Sequence, residues 1–381
     1  MNAPVPSCKL RIGVVFGGRS VEHEVSLVSA ASVMHALDPE RYEVVPIGIA
    51  PDGRWLSSSA ALRLLKEKAP IGQEPELLVV PDPRKQSLVE LNATTHGGPA
   101  LDVLFPVIHG TTGEDGILQG LFELANIPYV GAGVLGSAVG MDKAMQKDIL
   151  RHAKLPVAPS LWFLASEFAT APKRWTGLIE RSLRYPLFVK PSNSGSSIGI
   201  SKAHDRKELL ESIAIASRYD RKVLVEQGVR NAREIEVSVL GNDTPEASVP
   251  GEIIPSNEFY DYDAKYVDGK SKAVIPADLP KSVAKKLRQI AVRAFRVLDC
   301  AGMARVDFLV SRRTNRIFLN EINTIPGFTS ISMYPKLWEA SGLAYPRLLD
   351  KLIALAMERH EAKKGLETKY RPKSEWFKDD E

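Results

Sequence analysis

Apolar runs of strand length alternate with stretches of helical period through the first third of the chain. Leu10-Arg-Ile-Gly-Val-Val-Phe16 is apolar at nearly every position, the pattern of a strand buried on both faces. Residues 29–37 then have helical spacing, and a second strand-like run follows at 42–49. A third run, Val103-Leu-Phe-Pro-Val-Ile108, precedes a helical stretch at 116–125. This order predicts an open, mostly parallel sheet. Ligands of such sheets gather beyond the C-terminal ends of the strands. Two of those ends are loaded with polar groups, Gly17-Gly-Arg-Ser-Val-Glu-His-Glu24 and His109-Gly-Thr-Thr-Gly-Glu-Asp115.

The pattern changes after Val130. A Gly-rich turn leads into a helix at 142–153, and Leu155-Pro-Val-Ala-Pro159 marks an extended connection. A smaller α/β unit is predicted next, with strands at 186–190, 198–202 and 222–226 and a helix at 207–217. A third unit has strands at 234–240, 247–254, 303–310 and 317–323 and a long helix at 282–298. Residues 57–99 mix turn residues, charges and short apolar runs, which reads as an insertion or peripheral hairpin outside the core, with no chemistry assigned. The tail from Lys364 is rich in Lys, Asp and Glu and is expected to fray.

The last pair of strands carries the most informative chemistry. Alternation puts Arg305 and Asp307 on one face of their strand and Glu321 and Asn323 on one face of the next. Charges inside apolar strands need partners. Either an Arg–carboxylate bridge joins the strands, or their oxygens hold Mg²⁺ together with substrate phosphates.

Composition narrows the function classes. With 50 basic against 46 acidic residues, interspersed and summing to +4, nothing points to nucleic acid. Cys8 and Cys300 are the only cysteines, so neither a disulfide framework nor a zinc site is expected, and the cytosol is the default compartment. No apolar run has signal-peptide or membrane-spanning length.

Three motifs fail on spacing. Gly131-Ala-Gly-Val-Leu-Gly136 fits a dinucleotide fingerprint but lacks the acidic residue roughly 20 positions on. Gly195-Ser-Ser-Ile-Gly199 fits a nucleophile elbow, yet no acid and His follow at usable distance. Gly269-Lys-Ser271 has Ala264 where a P-loop needs glycine. A phosphate site built differently is offered by Lys190, which ends an apolar strand before Pro191-Ser-Asn-Ser-Gly-Ser-Ser-Ile-Gly199. Small residues there let backbone N–H groups approach a polyanion, as a flap over phosphates. Lys143 is a second candidate phosphate contact. The strand Lys222-Val-Leu-Val-Glu-Gln-Gly-Val229 ends in a polar hinge suited to an adenine edge, with Glu226 or Glu234 for ribose hydroxyls or the adenine amino group.

Together these residues resemble the ATP-grasp superfamily, and within it the D-alanine–D-alanine ligase family. The resemblance runs from about Leu10 to about Arg359 and rests on five blocks: Gly17-Gly-Arg-Ser-Val-Glu-His-Glu-Val-Ser26, His109-Gly-Thr-Thr-Gly-Glu-Asp-Gly116, Lys190-Pro-Ser-Asn-Ser-Gly-Ser-Ser-Ile-Gly199, Phe259-Tyr-Asp-Tyr-Asp-Ala-Lys-Tyr266 and Asn320-Glu-Ile-Asn-Thr-Ile-Pro-Gly327. It implies an α/β, three-domain ATP-grasp fold: an N-terminal open parallel sheet domain (1–131) for substrate, a central lid (132–229) and a C-terminal α+β catalytic domain (230–363), the last two sandwiching ATP, with 364–381 as a flexible tail.

The resemblance also implies ATP-dependent joining of two D-alanines through D-alanyl phosphate, for peptidoglycan. Its nearest rivals are a D-alanine–D-lactate ligase and a non-catalytic nucleotide-binding regulator. By residue-wise analogy, Lys143 and Lys190 contact phosphates. Glu226, Val229 and Glu234 frame the nucleoside, and Gln227 stands where the family has lysine. Asp307, Glu321 and Asn323 match the ligands of two Mg²⁺ (or Mn²⁺) ions, and a monovalent cation is left open. Glu22 matches the carboxylate that holds the first ammonium, with His109 near that substrate's carboxylate. Ser196 and Tyr266 match partners linking the lid to Glu22. Arg305 and the Gly327 amide are expected at the oxyanion, and Lys265 and Ser332 at the second carboxylate. The segment 259–269 is expected to close over the site. A cytoplasmic homodimer, with no nucleic-acid or membrane partner, completes the expectation.

Overall fold

Strand β1 (Leu10–Gly17) is buried over its last six residues, as a central strand flanked on both faces must be. In the computed structural model, which describes residues 9–67, 76–85, 88–90, 100–254 and 272–367, β1 pairs in parallel with β2 (Tyr42–Ile49) and β6 (Val103–Pro106). The short β3 (Trp55–Leu56) closes one edge, giving the order β3-β2-β1-β6. The helix after β1, α1 (His23–Ala36), begins six residues before the predicted start at 29. Val25 and Leu27 supply the buried face of that first turn, beside small buried Ser26 and Ser29 that weaken its apolar signature.

The described parts of residues 57–99 include the expected hairpin, but they correct the expectation that the stretch lies outside the core. Helix α2 (Ser58–Glu67) buries Ala60, Ala61 and Leu64 against the sheet, and the hairpin β4 (Leu77–Val79) with β5 (Leu88–Glu90) buries Leu77, Val79 and Leu88. Short apolar runs with Ala at the close contacts pack as well as longer ones, but carry less periodicity to read.

After α3 (Ile117–Ala125), α4 (Val134–Met141) and α5 (Lys143–His152) comes an antiparallel sheet ordered β7-β10-β8-β9, from β7 (Ser160–Leu164), β8 (Leu187–Pro191), β9 (Ser201–Ala203) and β10 (Lys222–Gln227). Helices α6 (Ala165–Thr170), α7 (Pro172–Ser182) and α8 (Arg206–Ala216) complete this unit, which has a core of its own around Phe163, Val189, Leu209 and Val225. The strand expected at 198–202 starts only at Ser201. Ser196, Ser197 and Gly199 take φ of +46°, +60° and +73°, which turns the chain instead of extending it.

The third sheet runs β14-β13-β11-β15-β16, with β12 (Glu246–Ala247) beside β11 (Ala232–Gly241). The single strand expected at 247–254 is split into β12 and β13 (Gly251–Ile254), with Pro250 between them supplying no ladder N–H. β14 (Lys272–Val274) is the edge, and β15 (Gly302–Ser311) pairs with β16 (Ile317–Asn323). Helix α9 (Lys281–Val297) covers one face of this sheet. Helices α10 (Met333–Ala340) and α11 (Tyr345–Lys364) bring Tyr334, Leu348 and Leu352 into one continuous core with Ile12, Phe16 and Val33 of the first sheet. Among the described residues, no helix is long and apolar enough to cross a membrane.

Candidate active site

Because β1 and β6 are parallel neighbours, the loops after both open on the same edge. Gly17 and Gly18 adopt φ of +88° and +96°, a conformation that costs glycine little, and the turn they make delivers Glu22 to the start of α1. Glu22 is buried, at 6% exposure. Beyond β6, His109 Nδ1 donates to the Ile325 carbonyl at 3.1 Å and Nε2 meets Ser29 Oγ at 3.0 Å. Burial alone would lower the imidazole, yet Glu114, 3.9 Å away, and Glu22 outweigh it and hold His109 above its ordinary value. Glu114 is itself pushed up, chiefly by burial.

The Ser/Gly loop predicted as a flap joins this corner to the central unit. At its base, Asp142 caps α5 by accepting from Ala144 and Met145 N–H (3.1 and 3.2 Å), receives Ser192 Oγ at 2.5 Å and pairs with Lys222. The Asn193 N–H donates to Asp220 at 2.7 Å, and Lys143 Nζ donates to the Ser194 carbonyl at 2.6 Å. At the tip, Ser196 Oγ donates to Glu22. Gly110 and Gly195 both approach Glu22 so closely that a Cβ on either would stand 2.6 Å from its Oε2.

Two cavities meet here. The smaller, about 150 Å³, holds Glu22, His109, Lys143, Ser196, Gly327 and Ser332. The larger, about 440 Å³, lies between the second and third sheets and is lined by Lys190, Glu226, Gln227, Val229, Glu234 and Phe188. Lys190 Nζ donates to Glu226 at 2.8 Å and to Asn320 Oδ1 at 3.4 Å. Burial works against the Lys190 charge, but Glu226, Glu321 and Glu234 prevail and raise its pKa. Gln227 Oε1 accepts the Arg184 N–H at 3.0 Å, so this residue anchors the hinge as well as facing the cavity.

Glu236, Arg305 and Glu321, with Ser197 and Ile200 of the loop, line both cavities and form their common wall. Arg305 donates to both Asp307 oxygens at 2.7 Å and pairs with Glu236 at 3.2 Å. Burial opposes the Arg305 charge, but Asp307, Glu236 and Glu321 hold it well above its usual value. Asp307 faces Glu321 across the β15–β16 ladder, and Asn323 Nδ2 donates to Asp307 at 3.0 Å. An Arg–carboxylate bridge is therefore present, and Arg305 makes it to Asp307 within β15 and to Glu236 on the neighbouring β11. Two carboxylates and an amide on facing strands are also a hard-oxygen set that fits Mg²⁺. No group of three His, Cys, Asp or Glu suited to a metal occurs among the described residues, so the remaining oxygens would come from phosphates and water.

Fifteen of the seventeen residues singled out in the sequence lie in or beside these cavities. Lys265 and Tyr266, with the segment 259–269, lie outside the described residues. Sequence reading missed Glu236, although it alternates with Glu234 on one face of β11. It missed Glu114, inside a quoted motif, Asp142, at the start of the predicted helix, and Lys147, one helical turn beyond Lys143.

Known proteins match most of the chain. The family described as D-ala D-ala ligase N-terminus matches residues 11–132, and the one described as D-ala D-ala ligase C-terminus matches residues 149–354. A D-alanine–D-alanine ligase of Natranaerobius thermophilus is 52% identical over 355 residues, covering 93% of this chain and 97% of its own. The solved D-alanine–D-alanine ligase of Coxiella burnetii superposes with a TM-score of 0.78 at 39% identity, covering 93% and 97% of the two chains. The VanG D-Ala:D-Ser ligase of Enterococcus faecalis gives 0.81 at 36% identity, covering 92% and 100%.

Proposed function

The chain belongs to the D-alanine–D-alanine ligase family, and from that premise we propose how its own residues carry out the ATP-dependent ligation of two D-alanines to D-alanyl-D-alanine for peptidoglycan. The observation that carries the proposal is the shared wall: a small polar cavity around Glu22 and His109 abuts a nucleotide-sized cavity through Glu236, Arg305 and Glu321. Such a junction suits transfer of a phosphoryl group between an ATP held on one side and a carboxylate held on the other.

Glu22 holds the ammonium of the first D-alanine, and His109, whose charged form Glu114 and Glu22 favour, faces its carboxylate. That carboxylate attacks the γ-phosphorus, ADP leaves, and D-alanyl phosphate forms. Lys143 and Lys190 orient the phosphates, and Glu226, Gln227, Val229 and Glu234 hold the nucleoside. Asp307, Glu321 and Asn323 are the groups that would hold Mg²⁺ or Mn²⁺, whose charge offsets that of the phosphates. The amine of the second D-alanine, its carboxylate near Ser332, then attacks the acyl carbonyl. Arg305 and the Gly327 N–H stabilise the oxyanion, phosphate departs, and the amine loses its proton. Ser196 on Glu22 closes the flap against water, which would hydrolyse the acyl phosphate. Lys265 and Tyr266 keep their proposed roles by analogy alone.

The domain divisions 1–131, 132–229, 230–363 and 364–381 and a cytoplasmic location remain part of this reading, and a monovalent cation stays open. A homodimer through the N-terminal unit is supported by exposed Ile117 and Leu124, seven positions apart on α3, beside exposed Leu135 on α4. Sedimentation of Leu124→Glu as a dimer would remove that surface from consideration. The function itself is tested by ADP release with Mg²⁺ and D-alanine, with L-alanine, D-lactate and D-serine arms and products identified by mass. D-alanyl-D-alanine formed from D-alanine alone is expected. Turnover only in a mixed arm would overturn the choice of second substrate.

A further inference from the structure

Lys147 does not line either cavity, yet it is 1% exposed and its ammonium touches two groups at the nucleotide site. It pairs with Glu226 Oε1 on β10 and donates to the Asn320 carbonyl on β16 at 2.9 Å. Asn320 is the residue skipped in the β15–β16 register, where Asp307 pairs with Glu321 and Phe308 with Leu319. The bulge turns its carbonyl out of the ladder and toward Lys147. One helix therefore reaches both walls of the cleft through a single buried amine, whose pKa burial and Lys190 lower against the pull of Glu226.

Glu226 is shared between two cations: Oε2 receives Lys190, and Oε1, with no other hydrogen-bond partner among the described residues, faces Lys147. Lys190 is the one that borders the cavity. If Lys190 turns to a phosphate, Glu226 must keep a counter-ion or become an uncompensated buried carboxylate.

We propose that Lys147 is a positioning residue, the standing counter-ion of Glu226 that releases Lys190 from that carboxylate to engage a nucleotide phosphate. The proposal rests on the nucleotide reading of the larger cavity and adds a residue that never touches the nucleotide. Without Lys147, the Glu226 charge would fall wholly on Lys190 and compete with the phosphate for it. The defect belongs to ATP and spares D-alanine.

The experiment compares Lys147→Met in two backgrounds, wild type and Glu226→Gln, reading the Kd for ATP by calorimetry without D-alanine, the KM for ATP and D-alanine, and the melting temperature. In the wild-type background Kd and KM for ATP rise about tenfold or more, with KM for D-alanine unchanged. In the Glu226→Gln background the same substitution changes Kd for ATP by no more than about twofold. The hydrogen bond to Asn320 is lost in both, so the difference isolates the counter-ion role. An unchanged Kd for ATP with a lowered melting temperature overturns the proposal, because Lys147 would then be structural only. So does a tenfold loss that persists in the Glu226→Gln background, a comparison that stands even if the single variant fails to fold. Wild-type protein that binds ATP without making dipeptide would refute the ligase reading and leave this inference to the binding data.

Discussion

Replacing Gly195 with alanine tests whether the flap truly closes on Glu22. The glycine φ is not in the left-handed region, so the added methyl brings no backbone strain of its own. It would stand 2.6 Å from Glu22 Oε2 and 3.4 Å from Gly110 Cα. Ordinary contact begins at 3.4 Å, so flap and carboxylate must separate by 3.4 − 2.6 = 0.8 Å. Gly110 cannot yield easily, since its φ is +78° and its own back faces the same carboxylate. Overpacking of this kind costs about 1–3 kcal/mol, which at closure corresponds to a loss of about 5- to 150-fold in kcat/KM for D-alanine. The Ser196 hydrogen bond to Glu22 is lost with it, while the neighbouring Ser197 and Ile200 also line the larger cavity, so ATP binding is measured beside it. The assay is ADP release as D-alanine is titrated at saturating ATP, beside calorimetric ATP binding. A variant with wild-type KM for D-alanine and wild-type kcat would refute the reasoning, since the flap could not then occupy this position during turnover.

Arg305→Ala is expected to lower kcat about 10²–10³-fold through loss of an oxyanion donor while KM for ATP changes little; an equal collapse of ATP binding would mean that Arg305 serves the nucleotide through Asp307. His109 is held above its ordinary value, so its charged form stabilises the fold fully below about pH 6.5 and the contribution fades as pH rises through the raised folded value. The melting-temperature advantage of wild type over His109→Gln should shrink as pH rises above about 6.5, and a difference that stays flat would refute the raised value. Amide hydrogen exchange should show ATP-dependent protection in residues 192–200 and none in α11; protection of α11 to the same degree would argue against a moving flap on a fixed base.

The strand-end loops were readable because their chemistry is local: glycines at Gly17 and Gly18, a carboxylate at Glu22 and a histidine at His109 each follow an apolar strand directly. The Arg305–Asp307 pair was readable for the same reason, since alternation along one strand decides which side chains meet. Lys147 was not, because the carbonyl it holds lies 173 positions away and is exposed by a bulge that no two-residue period foretells. Ser201 as the start of β9 was equally hidden. Two serines with positive φ occupy a conformation their residue type disfavours, and contacts distant in sequence, the seat on Glu22 and the base at Asp142, help select it. Periodicity also implied separate N- and C-terminal units, whereas Phe16 and Leu352 share a core that pairwise sequence patterns do not encode.

That shared core decides which parts of the molecule can move. The first and third sheets are held together by apolar packing and by ties at the far ends of the chain. Tyr42 Oη donates to Asp350 at 2.8 Å, and the Arg359 guanidinium lies 4.3 Å over the Tyr129 ring and also reaches the Gly131 carbonyl. Opening this junction would expose buried hydrocarbon. The central sheet keeps its own core and meets the others largely through polar contacts: Ser196 to Glu22, Lys190 to Asn320, Lys143 to Ser194 and Lys147 to Glu226. Polar contacts exchange for water or ligand at small net cost, whereas apolar burial does not. The cleft is therefore expected to open along the polar seam, and the groups that hold it shut are those proposed to take hold of ATP and D-alanine. Substrate binding and closure draw on the same side chains, so water is excluded only when the reacting groups are in place.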